Sequence, residues 1–205
     1  MLSIYLVRHG QNEDNVNGIL NGHRDLPLTK IGIEQAKNLA LHLEKTGIRF
    51  DKIYSSPLSR AYRTAEIIAD HLGLDKPEKR DGLIERNFGD MTGRKISDIE
   101  KLYSPHIIKT NTVTYVTECP GSETFPDLIE RAKKLISDVQ KERAGGNVLL
   151  VCHGDIGKMI YAAFYGIDWK DALKNFHFGN SEIVLLSPGR DPKDAHIFKQ
   201  EQFNH

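Results

Sequence analysis

Hydrophobic residues along this chain follow two patterns: short unbroken apolar runs, and longer stretches in which they recur at helical spacing. The runs predict buried strands at Ser3-Ile4-Tyr5-Leu6-Val7, at 50–55 and at Asn147-Val148-Leu149-Leu150-Val151-Cys152, with two closing strands at 182–186 and 195–199. The helical spacing predicts a helix capped by Thr29, with Ile33, Ala36, Ala40 and Leu43 on its inner face and Gly47 at its end. A second helix follows Ser59 with Ala61, Ala65, Ile68 and Leu72 inward. A third spans 122–143, with Thr124 and Asp127 in a capping box and Phe125, Leu128, Ala132, Leu135 and Val139 buried, and a fourth, 156–165, is capped by Asp155. Strands alternating with helices predict an α/β fold, a three-layer sandwich whose mostly parallel central sheet is flanked by helices.

Two stretches break the alternation. Residues 11–28 form a polar loop too long for a simple connection, which points to contact with a ligand. Residues 73–121 are less periodic and read as an insertion over a crevice, with a lid-like part at about 94–120. The length of 205 residues suits one domain, 1–205.

Two predicted strands end in the same chemistry. The first runs into Arg8-His9-Gly10 and the third into His153-Gly154. In a parallel sheet the carboxyl ends of strands open onto the crevice where ligands bind. Either histidine alone is more readily a satisfied core or loop residue. Both at one edge, with Arg8 beside them, point to a site. Arg60 falls in the first turn of its helix, where a cation opposes the macrodipole and is better explained if that end holds an anion.

Charge and cysteine content narrow the function classes. The 28 basic residues balance 28 acidic ones, so no net field draws the molecule to nucleic acid or anionic membrane. Cys119 and Cys152 make neither a disulfide framework nor a metal site and suit a reducing compartment. No apolar span is long enough to cross a bilayer and no basic-then-apolar leader opens the chain, so a cytoplasmic protein is expected. Neither a cofactor nor a metal is expected, because no dense carboxylate cluster appears for magnesium.

Several further residues stand in order around the two histidines: Asn15; Pro27-Leu28-Thr29 with Gly32 and Gln35-Ala36; Ser55-Ser56-Pro57-Leu58 with Arg60-Ala61 and Thr64-Ala65; Glu85 with Phe88-Gly89 and Gly93; and Gly121 with Glu123-Thr124. With Leu6-Val7-Arg8-His9-Gly10 and Val151, His153-Gly154, this set resembles the histidine phosphatase superfamily, in the branch of cofactor-dependent phosphoglycerate mutases and their phosphatase relatives. The resemblance implies a phosphoryl-transfer enzyme in which His9 is transiently phosphorylated, Arg8, Arg60, His153 and Asn15 bind phosphate, and Glu85 acts as acid and then base. It also implies that Asn21 and Gly22 belong to a substrate-contacting loop. The residue chemistry agrees. A neutral imidazole is a good nucleophile toward phosphorus, cations nearby disfavour its protonation, and arginine forks match phosphate. Asn12, Gln11 and Thr92 depart from the residues usual in relatives, and none of these removes a catalytic group that the resemblance implies.

The expected activity is hydrolysis of a small phosphorylated metabolite as a metal-independent phosphoric monoester hydrolase. A mutase is the alternative. It would need a second anion site, and 94–120 offers Arg94, Lys95, Lys101 and Lys109 but no paired arginines. A non-catalytic phosphate-binding regulatory module is the second alternative, against which both His9 and Glu85 are retained.

Overall fold

The computed structural model describes residues 1–202. The last three positions of the expected 1–205 domain lie outside the described residues. In chain order the strands and helices are β1 (Leu2–Arg8), α1 (Glu13–Val16), α2 (Lys30–Thr46), β2 (Lys52–Ser55), α3 (Ser59–Leu72) and β3 (Glu78–Lys79). Then come α4 (Ile99–Tyr103), β4 (Ile107–Lys109), β5 (Thr114–Val116), α5 (Phe125–Glu142) and β6 (Gly146–Cys152). The chain closes with α6 (Gly154–Tyr165), α7 (Trp169–Asn175), β7 (Ile183–Leu186) and β8 (His196–Phe198).

Six strands form the central sheet in the order β3-β2-β6-β1-β7-β8. β1, β2, β3 and β6 run parallel to their neighbours in that set, whereas β7 is antiparallel to β1 and to β8. The expected α/β sandwich with a mostly parallel sheet is therefore the observed one.

Both faces of the sheet are covered, which is why β1 and β6 read as unbroken apolar runs. Ile4, Leu6, Val148 and Leu150 point into the core under α5, α6 and α7, while Tyr5, Val7, Leu149 and Val151 join the core under α2 and α3. Along α5 the predicted stripe is fully or almost fully buried. Each large apolar side chain so removed from water contributes about 1.5–3 kcal/mol.

Pairing of β1 with β6 decides where the chemistry sits. Arg8 lies opposite Cys152, and the His9 amide donates to the Cys152 carbonyl at 3.0 Å, so the two strand-end histidines emerge side by side. Gly10 then passes α2 so closely that a Cβ on it would lie 2.3 Å from the Gly32 carbonyl oxygen, which is a contact only glycine permits.

Several local expectations shift. Ile33 is only half-buried, and Gln35 and Leu39 face inward with Ala36, Ala40 and Leu43. Gln35 is turned in because its carboxamide oxygen accepts from the Gln11 amide at 2.9 Å. Thr124 caps α5 through the Asp127 amide, but the Asp127 carboxylate accepts from the Thr124 hydroxyl at 2.6 Å, so the reciprocal half of a capping box gives way to a side-chain pair. Asp155 is not the cap of its helix. His153 occupies that position and Asp155 is buried in the first turn.

Residues 94–120 carry α4 and the small hairpin β4-β5, which pack their own cluster of Ile99, Val116, Phe88 and Met91. Those elements are too short for periodicity to reveal. Among the described residues no helix is long and apolar enough to cross a membrane.

Candidate active site

The carboxyl ends of β1 and β6 open on a cleft of about 180 Å³, whose walls include Arg8, His9, Asn15, Asn21, Arg60 and Glu85. His153 lies directly behind His9, with ring centroids 5.0 Å apart. Gly22 is not on the wall.

His9 is almost wholly buried. Its Nδ1 is 2.6 Å from the Gly10 carbonyl, which can only accept, so Nδ1 carries the ring proton and the lone pair lies on Nε2. Arg60 Nε donates to that Nε2 at 3.3 Å. Burial first, then the charges of Arg60 and Arg8, holds the His9 pKa well below the usual histidine value.

Arg60 is fully buried. Its Nη1 donates to the Arg24 carbonyl at 2.6 Å and its Nη2 to the Gly22 carbonyl at 2.9 Å. The loop residue Gly22 thus aims the arginine. Burial lowers the Arg60 pKa to about 10, with the guanidinium still charged at neutral pH. The anion expected at the start of α3 is the chain's own: the Asp25 carboxylate accepts from the Ser59 amide at 2.6 Å.

Glu85 is held by three backbone amides, two of them at the start of α6. Oε1 accepts from the Arg86 amide at 2.9 Å and the Ile156 amide at 3.2 Å, and Oε2 accepts from the Asp155 amide at 3.3 Å. Glu85 does not pair with the neighbouring Arg86 guanidinium, which is buried and donates to the Glu123 and Val116 carbonyls. Arg8 and Glu85 meet over Gly154, where a methyl group would lie 3.7 Å from both Arg8 Cζ and Glu85 Oε2.

The polar loop is ordered by its own asparagines. Asn12 caps α1 in a reciprocal box with Asn15 and exchanges two carboxamide bonds with Asn21, at 2.7 and 3.3 Å. The Asn15 oxygen also accepts from Asn180 Nδ2 at 3.3 Å. The departure at Asn12 therefore has a structural consequence, the bracing of Asn15 and Asn21 on the cleft wall.

The sequence reading took Asp155 only as a helix cap and missed that it and Lys158 line the cleft. Burial, then the Glu85 charge, raises Asp155 to about 6, and burial lowers Lys158 to about 8. Lys158 Nζ donates to the Phe176 carbonyl. Asp155 and Lys158 are the charged residues of an otherwise apolar helix, and that exception was the available signal.

His153 Nε2 is 2.8 Å from Ser56 Oγ, and its Nδ1 is buried without a hydrogen-bond partner among the described residues. Burial first, then Arg60 and His9, keeps its pKa well below the usual value. Unfolding exposes both histidines, and the unfolded chain takes up a proton on each as the pH falls through about 6.5 while the folded chain does not. Stability therefore drops below that pH, by at most about 1.4 kcal/mol per pH unit for each histidine. His153→Asn should accordingly show a shallower fall in Tm between pH 6.5 and 5.5 than the unaltered protein; parallel curves would remove His153 as a source of the acid sensitivity.

Residues 4–199 match the family model of the histidine phosphatase superfamily, branch 1. The chain belongs to the histidine phosphatase superfamily. Within it, the chain is 31% identical to a 2,3-bisphosphoglycerate-dependent phosphoglycerate mutase of Mesorhizobium japonicum, over 84% of this chain and 85% of the relative. Solved structures also superpose on most of it. A mutant phosphoserine phosphatase from Entamoeba histolytica in complex with phosphoserine gives a TM-score of 0.73 at 26% identity, covering 90% of each chain. A mycobacterial glucosyl-3-phosphoglycerate phosphatase in complex with VO3 gives 0.77 at 26% identity, covering 90% of this chain and 92% of that one.

Proposed function

We propose that this histidine phosphatase hydrolyses a small phosphomonoester through a phosphohistidine on His9. The observation that carries the choice of phosphatase over mutase is the wall contributed by 94–120. From that segment Ile96, Val113 and Tyr115 line the cleft, and Arg94, Lys95, Lys101 and Lys109 do not. Lys109 is instead paired with Glu100 at 2.7 Å. A second anion therefore finds no cation on the covering segment. In this reading 94–120 is a cover over the cleft of a single domain, and the substrate is a small phosphorylated metabolite, as the phosphoserine-bound neighbour suggests by analogy.

The steps follow from where the groups stand. His9 Nε2 attacks phosphorus as the bond to the ester oxygen breaks, and the Glu85 carboxyl gives that oxygen its proton. A water then attacks the phosphohistidine, Glu85 takes the water's proton, and the P–N bond electrons return to Nε2. Arg8 and Arg60 neutralise charge on the phosphoryl oxygens, which is most of what phosphoryl transfer asks of a protein. The Ser56 hydroxyl donating to His153 Nε2 would leave Nδ1–H as a further donor beside His9. Asn15 and Asn21 complete the polar wall, with Gly22 acting through Arg60. His9 and Glu85 in this geometry also weigh against a non-catalytic phosphate-binding module.

The test compares inorganic phosphate release from a panel of phosphomonoesters with isomerisation of 3-phosphoglycerate in the presence of catalytic 2,3-bisphosphoglycerate. Hydrolysis should dominate by at least about tenfold in kcat/KM, a margin of about 1.4 kcal/mol in barrier height. Faster isomerisation than any hydrolysis on the panel would establish the mutase instead.

A further inference from the structure

The cleft changes chemistry from floor to mouth. Arg8, His9, Arg60 and Glu85 form a charged floor, whereas Ile19, Leu20, Ile96 and Val113 form one side of the mouth. Ile19 and Leu20 come from one segment, Ile96 from a second and Val113 from the turn between β4 and β5, and backbone bonds lock the first two segments together. Leu20 N donates to the Arg94 carbonyl at 2.9 Å, Gly93 N to the Leu20 carbonyl at 2.9 Å, and Ile96 N to the Gly18 carbonyl at 2.8 Å, around an antiparallel bridge between Ile19 and Lys95. The register of that zipper puts Ile19, Leu20 and Ile96 on the cleft and leaves Arg94 and Lys95 off it. Ile96 and Val113 remain 44% and 38% exposed although a buried apolar cluster lies close by in the same segment. Aliphatic side chains at the mouth of a phosphate site, with room to bury more, suit a ligand with an apolar part.

We propose that this rim binds the alcohol portion of the substrate, and that the preferred substrates are monophosphate esters of small apolar alcohols rather than of sugars or hydroxy acids. The inference rests on the phosphatase reading and extends it to a substrate class. With phosphate on the floor, the ester oxygen and its first carbons point toward the mouth. Each methylene moved from water onto the rim should raise kcat/KM about three- to fourfold. Hydroxyl or carboxylate groups placed there would lose water without gaining a partner. Elsewhere on the lining, Lys158 stands one helical turn from Asp155 on α6 and donates to the Phe176 carbonyl, and the imidazole of His177, whose pKa burial lowers, brings no fixed positive charge to hold an acid. At about 180 Å³ the cleft is well below the about 300–1,000 Å³ that holds a drug-sized ligand, so the alcohol is small.

Ethyl, propyl, butyl and hexyl phosphates share one leaving-group basicity, so their kcat/KM values isolate contact with the rim. Values should climb along the series, and propyl phosphate should exceed glycerol 3-phosphate, which has the same carbon skeleton, by about tenfold. The double variant Ile96→Ser, Val113→Ser changes two exposed positions. It should cut the hexyl-to-ethyl ratio at least about fivefold, mainly through KM, with Tm little changed. A flat series, or a preference for glycerol 3-phosphate, overturns the apolar-alcohol inference while leaving the phosphatase reading intact. A rising series whose ratio survives the double variant overturns the assignment to this rim. Absence of hydrolysis of every ester, p-nitrophenyl phosphate included, overturns the phosphatase reading and this inference with it.

Discussion

His9→Ala should abolish turnover, with a loss of about four to six orders of magnitude in kcat, as expected when a nucleophile is removed and only binding groups remain. No neighbour can substitute. His153 is the nearest other imidazole, but it is wholly buried behind His9 and one of its nitrogens is held by Ser56. Reaction with substrate labelled on phosphorus, quenched in alkali, should leave label on the unaltered protein in a base-stable, acid-labile form, as a phosphoramidate requires. The alanine variant should retain none. Label persisting at a similar level in His9→Ala would place the covalent step on another residue. The variant should remain folded, because the alteration removes a polar ring from the cleft wall and leaves the β1–β6 pairing untouched.

Glu85→Gln should lower kcat for alkyl phosphates by about 10²–10⁴ with a much smaller change in KM, because the proton is needed only as the leaving oxygen gains charge. The carboxylate accepts three backbone amides through its two oxygens, whereas glutamine brings one oxygen and an NH₂ that cannot accept. Some displacement is therefore expected, and kcat alone does not separate a lost proton from a moved side chain. The leaving group separates them. p-Nitrophenolate departs without protonation, so in the variant the pre-steady-state burst of p-nitrophenol should be slowed far less than phosphoenzyme formation from an alkyl phosphate. Equal slowing with both esters would remove Glu85 as the acid.

The contrast between His9 and Glu85 also separates what could be read locally from what could not. His9 and His153 were legible because each ends an unbroken apolar run, and a strand's carboxyl end in a parallel sheet is a place for ligands. Glu85 was singled out through family resemblance. The reason it stays in place is the set of amides at the start of α6, about seventy positions later, and no local pattern announces them. Arg60 looked unfavourable in the first turn of α3, and the sequence offered only an anion at that helix end to explain it. Its burial and its three hydrogen bonds, to His9 and to the Gly22 and Arg24 carbonyls, depend on the loop folding back over α3.

Amino-acid order suffices for the alternating strands and helices, the covered sheet and the two histidine-bearing strand ends, because those depend on the hydrophobic period within windows of about a dozen residues. It also determined the ordered residue set that marks the superfamily. Packing between distant segments set the Nε2 lone pair of His9 facing Arg60, the α6 amides that hold Glu85, and the bridge of 18–20 to 93–96 that carries Ile19, Leu20 and Ile96 onto the cleft. Each of these is a contact between segments distant in sequence, and its register is set by how the sheet, α6 and the covering segment pack together. Neighbouring residues in the chain carry no record of that packing.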